Sequence, residues 1–264
     1  MVGRVVVYNG EGACEKSFNL LKKSLENCLC PEAHPVSCIT PEDIKKGGLS
    51  HDCAAVVFGG GYDKGFIHAL GSEGIQEIRS FVLGGGKYFG FCAGGYFGCD
   101  YIEFDKGGPL EVCGKRDLCF YPGKCIGPVV PHFEYDTHRG ADAVPIRVHD
   151  IPQLTSGFTC KLYVNGGGKF MPYHDSSGCK IDIIASYCNL PNQPAAIIKS
   201  EIGAKGGRAI LTGCHPEFCA FELDSSDSYL QRILDDLKQN ETSRKLVFRV
   251  LLKLASLKLR SSHL

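Results

Sequence analysis

The chain has 264 residues, 44% of them hydrophobic, enough to bury a sizeable core. Its 29 basic residues match 29 acidic ones, so no net charge favours nucleic acid or an anionic membrane as partner. No apolar stretch approaches the ~20 residues of a membrane span, and the first eight residues read as a strand and not as a secretory signal.

That strand is Val5–Tyr8. From Phe18 to Cys28 the apolar residues fall at 18, 20, 21, 25 and 28, close to a helical period. Pro35–Ile39 reads as a second strand. Ala54–Phe58 is a continuous apolar run ending in Gly59-Gly60-Gly61, the pattern of a strand buried on both faces. Ser72 is placed to cap a helix with Ile75, Ile78, Phe81 and Val82 inward and Gly84 at its end. Lys87–Phe91 is the next strand. This alternation predicts an α/β fold with a mainly parallel sheet and helices on both faces.

Beyond residue 100 the runs shorten. Leu110–Cys113, Leu118–Tyr121, Val144–Val148, Leu162–Val164, Ile181–Tyr187, Ala195–Lys199 and Ala209–Thr212 are strand candidates punctuated by Gly and Pro. They predict an antiparallel extension before a return to the main sheet. Helices are expected over about 225–258. The last sets Val247, Val250, Leu251 and Leu254 opposite Lys245, Arg249 and Lys253, as a docking helix does. A membrane-surface or partner helix is the alternative. No linker or repeat interrupts the chain, so a single domain over 1–264 is expected.

Fifteen cysteines without a leader, several of them in apolar runs (Cys38, Cys53, Cys188), fit reduced thiols of a cytoplasmic protein. Neither Cys28-Leu29-Cys30 nor the histidines have zinc-site spacing, so no metal or cofactor is expected. Cys92 stands apart from the rest. It lies in Gly90-Phe91-Cys92-Ala93-Gly94-Gly95, where a strand runs into a G-x-C-x-G turn that lifts the thiol off the sheet edge. A second strand end, Ala209–Gly213, leads to Cys214-His215-Pro216-Glu217. A histidine there can take the thiol proton, and a carboxylate two residues on can orient the imidazole. Cys92, His215 and Glu217 form a candidate catalytic triad. The backbone N–H of Ala93, with that of Gly60 or Gly61, is a candidate oxyanion hole. The helix start after the turn and an imidazolium would both favour a reactive thiolate.

The elbow cysteine and the distant His-Pro-Glu resemble the class I glutamine amidotransferase fold, a flavodoxin-like arrangement. More closely, the chain resembles the N-terminal amidotransferase-like domain that precedes the ligase domain in fungal-type biotin–protein ligases. The resemblance rests on Val7–Gly10, Ala55–Gly61, Gly90–Gly98, Glu103-Phe104, Arg116–Leu118, Tyr121–Gly123, Asn165–Gly167, Pro194–Ala196 and Leu211–Phe218, and runs from about residue 4 to 258. It implies a stand-alone copy of that domain, without the ligase's Gly-Arg-Gly-rich loop. Tyr96 stands where amidotransferases usually carry a glutamine that holds the substrate.

The resulting expectation is a cysteine-dependent amidohydrolase or amidotransferase-like enzyme acting on a small amide or acyl substrate. Tyr96, Asn165, Glu103 and Arg116 are candidate pocket residues on the resemblance, with an Arg116–Asp117 ion pair as the structural alternative. A different expectation is a non-catalytic regulatory module that binds a biotin ligase, a biotin-dependent carboxylase or a small metabolite. A third is a redox or stress-response protein using the same cysteine.

Overall fold

The computed structural model describes residues 2–152, 154–173 and 180–261. Val5, Val6 and Val7 of β1 (Arg4–Tyr8) have no exposed surface, so this strand is covered on both faces. α1 (Glu15–Cys28) buries Leu21, Leu25 and Cys28. After β2 (Val36–Ile39), a reciprocal Thr40–Asp43 capping box starts α2 (Pro41–Lys45). All of β3 (Cys53–Phe58) is buried. α3 (Asp63–Leu83) is broken at Gly71, whose φ of 59° leaves the helical region just before Ser72. The helix expected from Ser72 is therefore the second half of one that begins at Asp63. β4 (Lys87–Phe91) runs into the five-residue α4 (Ala93–Phe97).

The second half contains β5 (Cys99–Phe104), β6 (Val112–Lys115), β7 (Tyr121–Gly127), β8 (Asp142–Val148), β9 (Phe158–Val164), β10 (Lys169–Pro172), β11 (Ile181–Tyr187), β12 (Ala195–Ile202) and β13 (Gly207–Thr212). α5 (Ser228–Gln239) and α6 (Glu241–Leu254) follow. The strand expected over Leu118–Tyr121 instead starts at Tyr121. Leu118 and Phe120 are buried loop residues, because apolar alternation reports burial and not ladder pairing.

Among the described residues these strands form one mixed sheet in the order β2-β1-β3-β4-β13-β12-β10-β7-β5-β6, with β11, β8 and β9 branching from β12. The first five are mutually parallel. β12 then pairs antiparallel with β13 and with β11, which is the expected extension. Alternate side chains feed cores on opposite faces. Val5 and Val7 join Leu21, Leu25, Phe248 and Leu251 of α1 and α6. Val6 and Tyr8 join Ile44, Phe66, Ile78 and Phe97 of α2, α3 and α4. The apolar face of α6 is thus covered by the sheet, as in the docking-helix reading. No helix among the described residues is long and apolar enough to cross a membrane.

The position of β13 governs the site. It lies beside β4 with Leu211 opposite Gly90 and Thr212 opposite Phe91. The chain leaving β13 therefore emerges next to the chain leaving β4, at the carboxyl ends of the parallel strands where α/β sheets place ligands.

Candidate functional site

Cys92 joins β4 to α4 with φ 50° and ψ −106°. A non-glycine residue in this region carries about 1–3 kcal/mol of strain and persists only when its surroundings hold it. Here they do. The Cys92 N–H donates to the Thr212 carbonyl (2.9 Å), and the Cys92 carbonyl accepts from the Tyr96 N–H (3.0 Å). The Gly94 N–H donates to the Gly59 carbonyl at 3.1 Å, tying α4 to the end of β3. The approach is too close for side chains: a Cβ on Gly95 would lie 2.6 Å from the Thr212 carbonyl oxygen. This is the strand-to-helix elbow foreseen from the glycine spacing, and it leaves the thiol partly exposed.

His215 and Glu217 are buried, at 4% and 0% exposure. Imidazole Nδ1 lies 2.7 Å from Glu217 Oε1, so Nδ1 carries the hydrogen that faces the carboxylate and Nε2 is turned away from it. The Cys92 thiol, whose Sγ lies 4.0 Å from the Asn165 carbonyl oxygen, is close enough to raise the pKa of the imidazole. Three elements fix this pair. The His215 N–H donates to the Tyr163 carbonyl of β9 (3.0 Å). Ser24 Oγ of α1 donates to the Glu217 carbonyl, and Arg244 Nη1 of α6 donates to the Pro216 carbonyl, each at 2.5 Å. The imidazole also packs on the Phe218 ring at a centroid distance of 4.2 Å.

Burial alone would lower the pKa of His215. It is outweighed by the Glu217 carboxylate, by interaction with the Cys92 thiol and by the Nδ1–H bond donated to Glu217, which push the imidazole up to about 10. The other Glu217 oxygen, Oε2, is buried without a partner. A carboxylate this dry is tolerated only beside a cation, so the pair favours imidazolium.

The N–H of Ala93 is the first in α4 and has no intrahelical acceptor. The expected partner Gly60 is excluded, because its N–H already donates to Ser17 Oγ at 2.8 Å. Gly60 serves by lacking a side chain: a Cβ there would sit 3.0 Å from His215 Cε1. Gly61 forms a bridge with Ala13 and lines the same cavity as Ala93.

That cavity has a volume of about 880 Å³ and is lined by Cys92, Ala93, Gly61, Tyr96, Asn165 and His215, among others. Tyr96 is 5% exposed and its hydroxyl donates to the Gly167 carbonyl (2.7 Å), so it offers the cavity mainly its ring. Asn165 Nδ2 donates to the Thr137 carbonyl (2.9 Å), while Oδ1 is buried without a partner. Two other expected pocket residues lie elsewhere. Glu103 alternates with the inward Ile102 and Phe104 of β5 and pairs with Lys124 (2.8 Å) and Lys106 (3.4 Å). Arg116 is buried outside the lining and pairs with Asp63 (2.5 Å), not with Asp117. Period-2 alternation along β5 foretells the outward Glu103. The Arg116–Asp63 pair is long-range and has no local signal.

Sequence reading missed Ser17, Asp63, Phe104, Phe133, Tyr135 and Tyr163, all of which line the cavity. Phe133 and Tyr135 fall in a polar, turn-rich segment, where two aromatic residues are the only hint of a wall. His138 Nδ1 lies 2.8 Å from Tyr163 Oη, and burial pushes the pKa of His138 down. Among the described residues no group of three or more His, Cys, Asp or Glu is placed to hold a metal ion.

A family model described as the N-terminal region of biotin-protein ligase matches residues 3–263. The biotin–protein ligase of Schizosaccharomyces pombe is 34% identical over 96% of the chain, and the chain spans 38% of that relative's length. An uncharacterized protein of Chlamydia muridarum is 36% identical, with 83% of both chains covered. Among solved structures, a putative ThuA-like protein from Bacteroides uniformis has a TM-score of 0.50 at 10% identity, covering 96% of this chain and 91% of that one. That likeness supports the α/β class alone.

Proposed function

The chain belongs to the biotin-protein ligase N-terminal family, and from that premise we propose that it is a cysteine-dependent amidohydrolase of class I amidotransferase-like fold, built as a single domain. The observation that carries the proposal is the buried His215–Glu217 pair, 2.7 Å apart, beside a strained cysteine that opens on a cavity. A purely structural cysteine needs neither the strain nor the ion pair.

In this reading the Cys92 thiolate attacks the carbonyl carbon of a small amide. The C=O electron pair moves to oxygen, where the N–H groups of Ala93 and Gly61 receive the negative charge. As the carbonyl re-forms, the C–N bond breaks and imidazolium Nε2 delivers its proton to the departing nitrogen. This leaves a thioester on Cys92 and a neutral His215. Water then attacks the thioester carbon and gives its proton to Nε2. Cys92 departs as thiolate, the acid is released, and the thiolate–imidazolium pair returns. Glu217 keeps Nδ1 protonated throughout.

A second reading is supported by Tyr96. Its ring and committed hydroxyl take the place of the usual substrate-holding glutamine, as suits a ligand-binding or regulatory module linked to a biotin ligase or a biotin-dependent carboxylase. One experiment separates the two. Limiting iodoacetamide followed by peptide mass spectrometry is expected to label Cys92 first, and Cys92→Ala is expected to abolish ammonia release from a panel of simple carboxamides. Earlier labelling of other cysteines, or ammonia release surviving in Cys92→Ala, would remove Cys92 from the chemistry. Fast labelling with no turnover would favour the binding module.

A further inference from the structure

The wall of the cavity beside Cys92 is built from aromatic rings. Tyr96, one helical turn after Cys92, meets Phe104 edge-on with ring centroids 5.8 Å apart. Phe104 meets Phe133 at 5.3 Å, Phe133 meets Tyr135 at 4.8 Å, and Tyr135 meets Tyr62 at 5.8 Å. The rings form a continuous surface from the buried floor at Tyr96 to the exposed rim at Tyr62. Ile102 and Val112, both buried, extend it.

Charged side chains around the cavity are disposed differently. Glu15, Lys16, Lys64, Glu111, Glu134 and Asp136 line it but are exposed, at its mouth. Asp63 is the one buried acid in the lining, and Arg116 neutralises it from behind. A free amino acid such as glutamine carries an ammonium and a carboxylate close to its amide. Seated at Cys92 against this wall, the carboxylate would meet ring faces with no buried, unpaired cation among the described residues of the lining, an arrangement that opposes binding. A neutral ring-bearing chain fits the same surface by area and by edge-to-face contact.

Building on the amidohydrolase reading, we infer that the substrate is an uncharged carboxamide whose acyl group is apolar and ring-bearing, seated on the Tyr96–Phe104–Phe133–Tyr135 wall. Phe133 is the specificity-determining residue best placed for a test. It is half-buried in a loop, so truncating it spares the sheet.

The experiment measures binding and turnover separately. Calorimetry with Cys92→Ala protein compares 3-phenylpropanamide with glutamine, and ammonia release is followed for both with the wild-type chain. The expected result is a Kd at least about tenfold lower for 3-phenylpropanamide, and a tenfold or larger rise in that Kd in Cys92→Ala/Phe133→Ala. Phe104→Ala gives a second variant should the first fold poorly, with circular dichroism and Tm as the check. Tight binding of 3-phenylpropanamide without ammonia release would uphold this ligand class and overturn the hydrolase reading. Preferred release of ammonia from glutamine would uphold the hydrolase reading and overturn this inference. Failure of 3-phenylpropanamide to bind, or binding indifferent to both wall variants, would also overturn it.

Discussion

Replacing Glu217 by glutamine removes one charge and almost nothing else. The amide oxygen can still accept the Nδ1–H bond now made at 2.7 Å, and the amide nitrogen falls where Oε2 has no partner, in a site with 0% exposure. What is lost is the interaction that contributes most to raising the pKa of His215 against the lowering effect of burial. A hydrogen bond to a charged group contributes about 1.5–3 kcal/mol, so loss of the charged partner should cut imidazolium-dependent rates by roughly 10–150-fold. The assay needs no knowledge of the substrate. The rate of Cys92 alkylation by iodoacetamide across pH 5–10 reports how far the imidazolium holds the thiolate. Glu217→Gln should slow alkylation near pH 7 and shift the profile toward that of an isolated thiol, with Tm changed by only a few degrees. An unchanged rate and profile in a folded variant would refute the argument that Glu217 acts through His215.

Gly60→Ala places a methyl group about 3.0 Å from His215 Cε1 and should displace the imidazole. Overpacking of this kind costs about 1–3 kcal/mol, read as a lower Tm with slower Cys92 alkylation. Asp63→Asn leaves the Arg116 guanidinium, 5% exposed, without its carboxylate, and should destabilise the fold by about 3–5 kcal/mol in urea titration. His215 gives a pH signature of stability. Its folded pKa is raised from the ordinary 6.5 to about 10, so its contribution is complete below about pH 6.5 and is lost as pH rises through about 10. Tm should therefore fall more steeply between pH 7 and 10.5 in the wild-type chain than in His215→Gln, and parallel curves would contradict the assignment.

The parallel half of the fold was legible because β1, β3 and β4 are apolar runs with glycine within or close behind them, and α1 shows its period. The elbow was legible for the same reason: the glycines around Cys92 have no other local use. The antiparallel half was harder to read. β5 mixes polar and apolar residues, and β10 is four residues long, pairing mainly with β7. Strands of this kind draw their pairing from their neighbours in the sheet and not from their own composition. Within the site, sequence spacing points to one N–H from Gly60 or Gly61, but does not show that Ser17, on a helix 43 residues earlier, occupies the one on Gly60. The same limit applies to Arg116, whose partner is 53 residues away. Contacts between elements depend on topology, which local pattern does not encode.

The site also explains why its strain and its buried charge occur together. Cys92 holds a left-handed backbone only because Thr212 and Gly59, at the ends of β13 and β3, anchor the residues around it. The same β13 delivers His215 and Glu217 a few residues later, and α1 and α6 clamp their backbone through Ser24 and Arg244. One strand thus fixes both Cys92 and His215, so their relative placement does not depend on a mobile loop. Glu217 makes the arrangement directional. With Oε1 on Nδ1 and Oε2 without a partner, its charge has one outlet, the imidazole. A histidine meant only to fill space would not be given an otherwise uncompensated buried carboxylate, because that burial is costly unless a cation is present. The cation in turn lies near the thiol of Cys92, which itself contributes to raising the imidazole pKa.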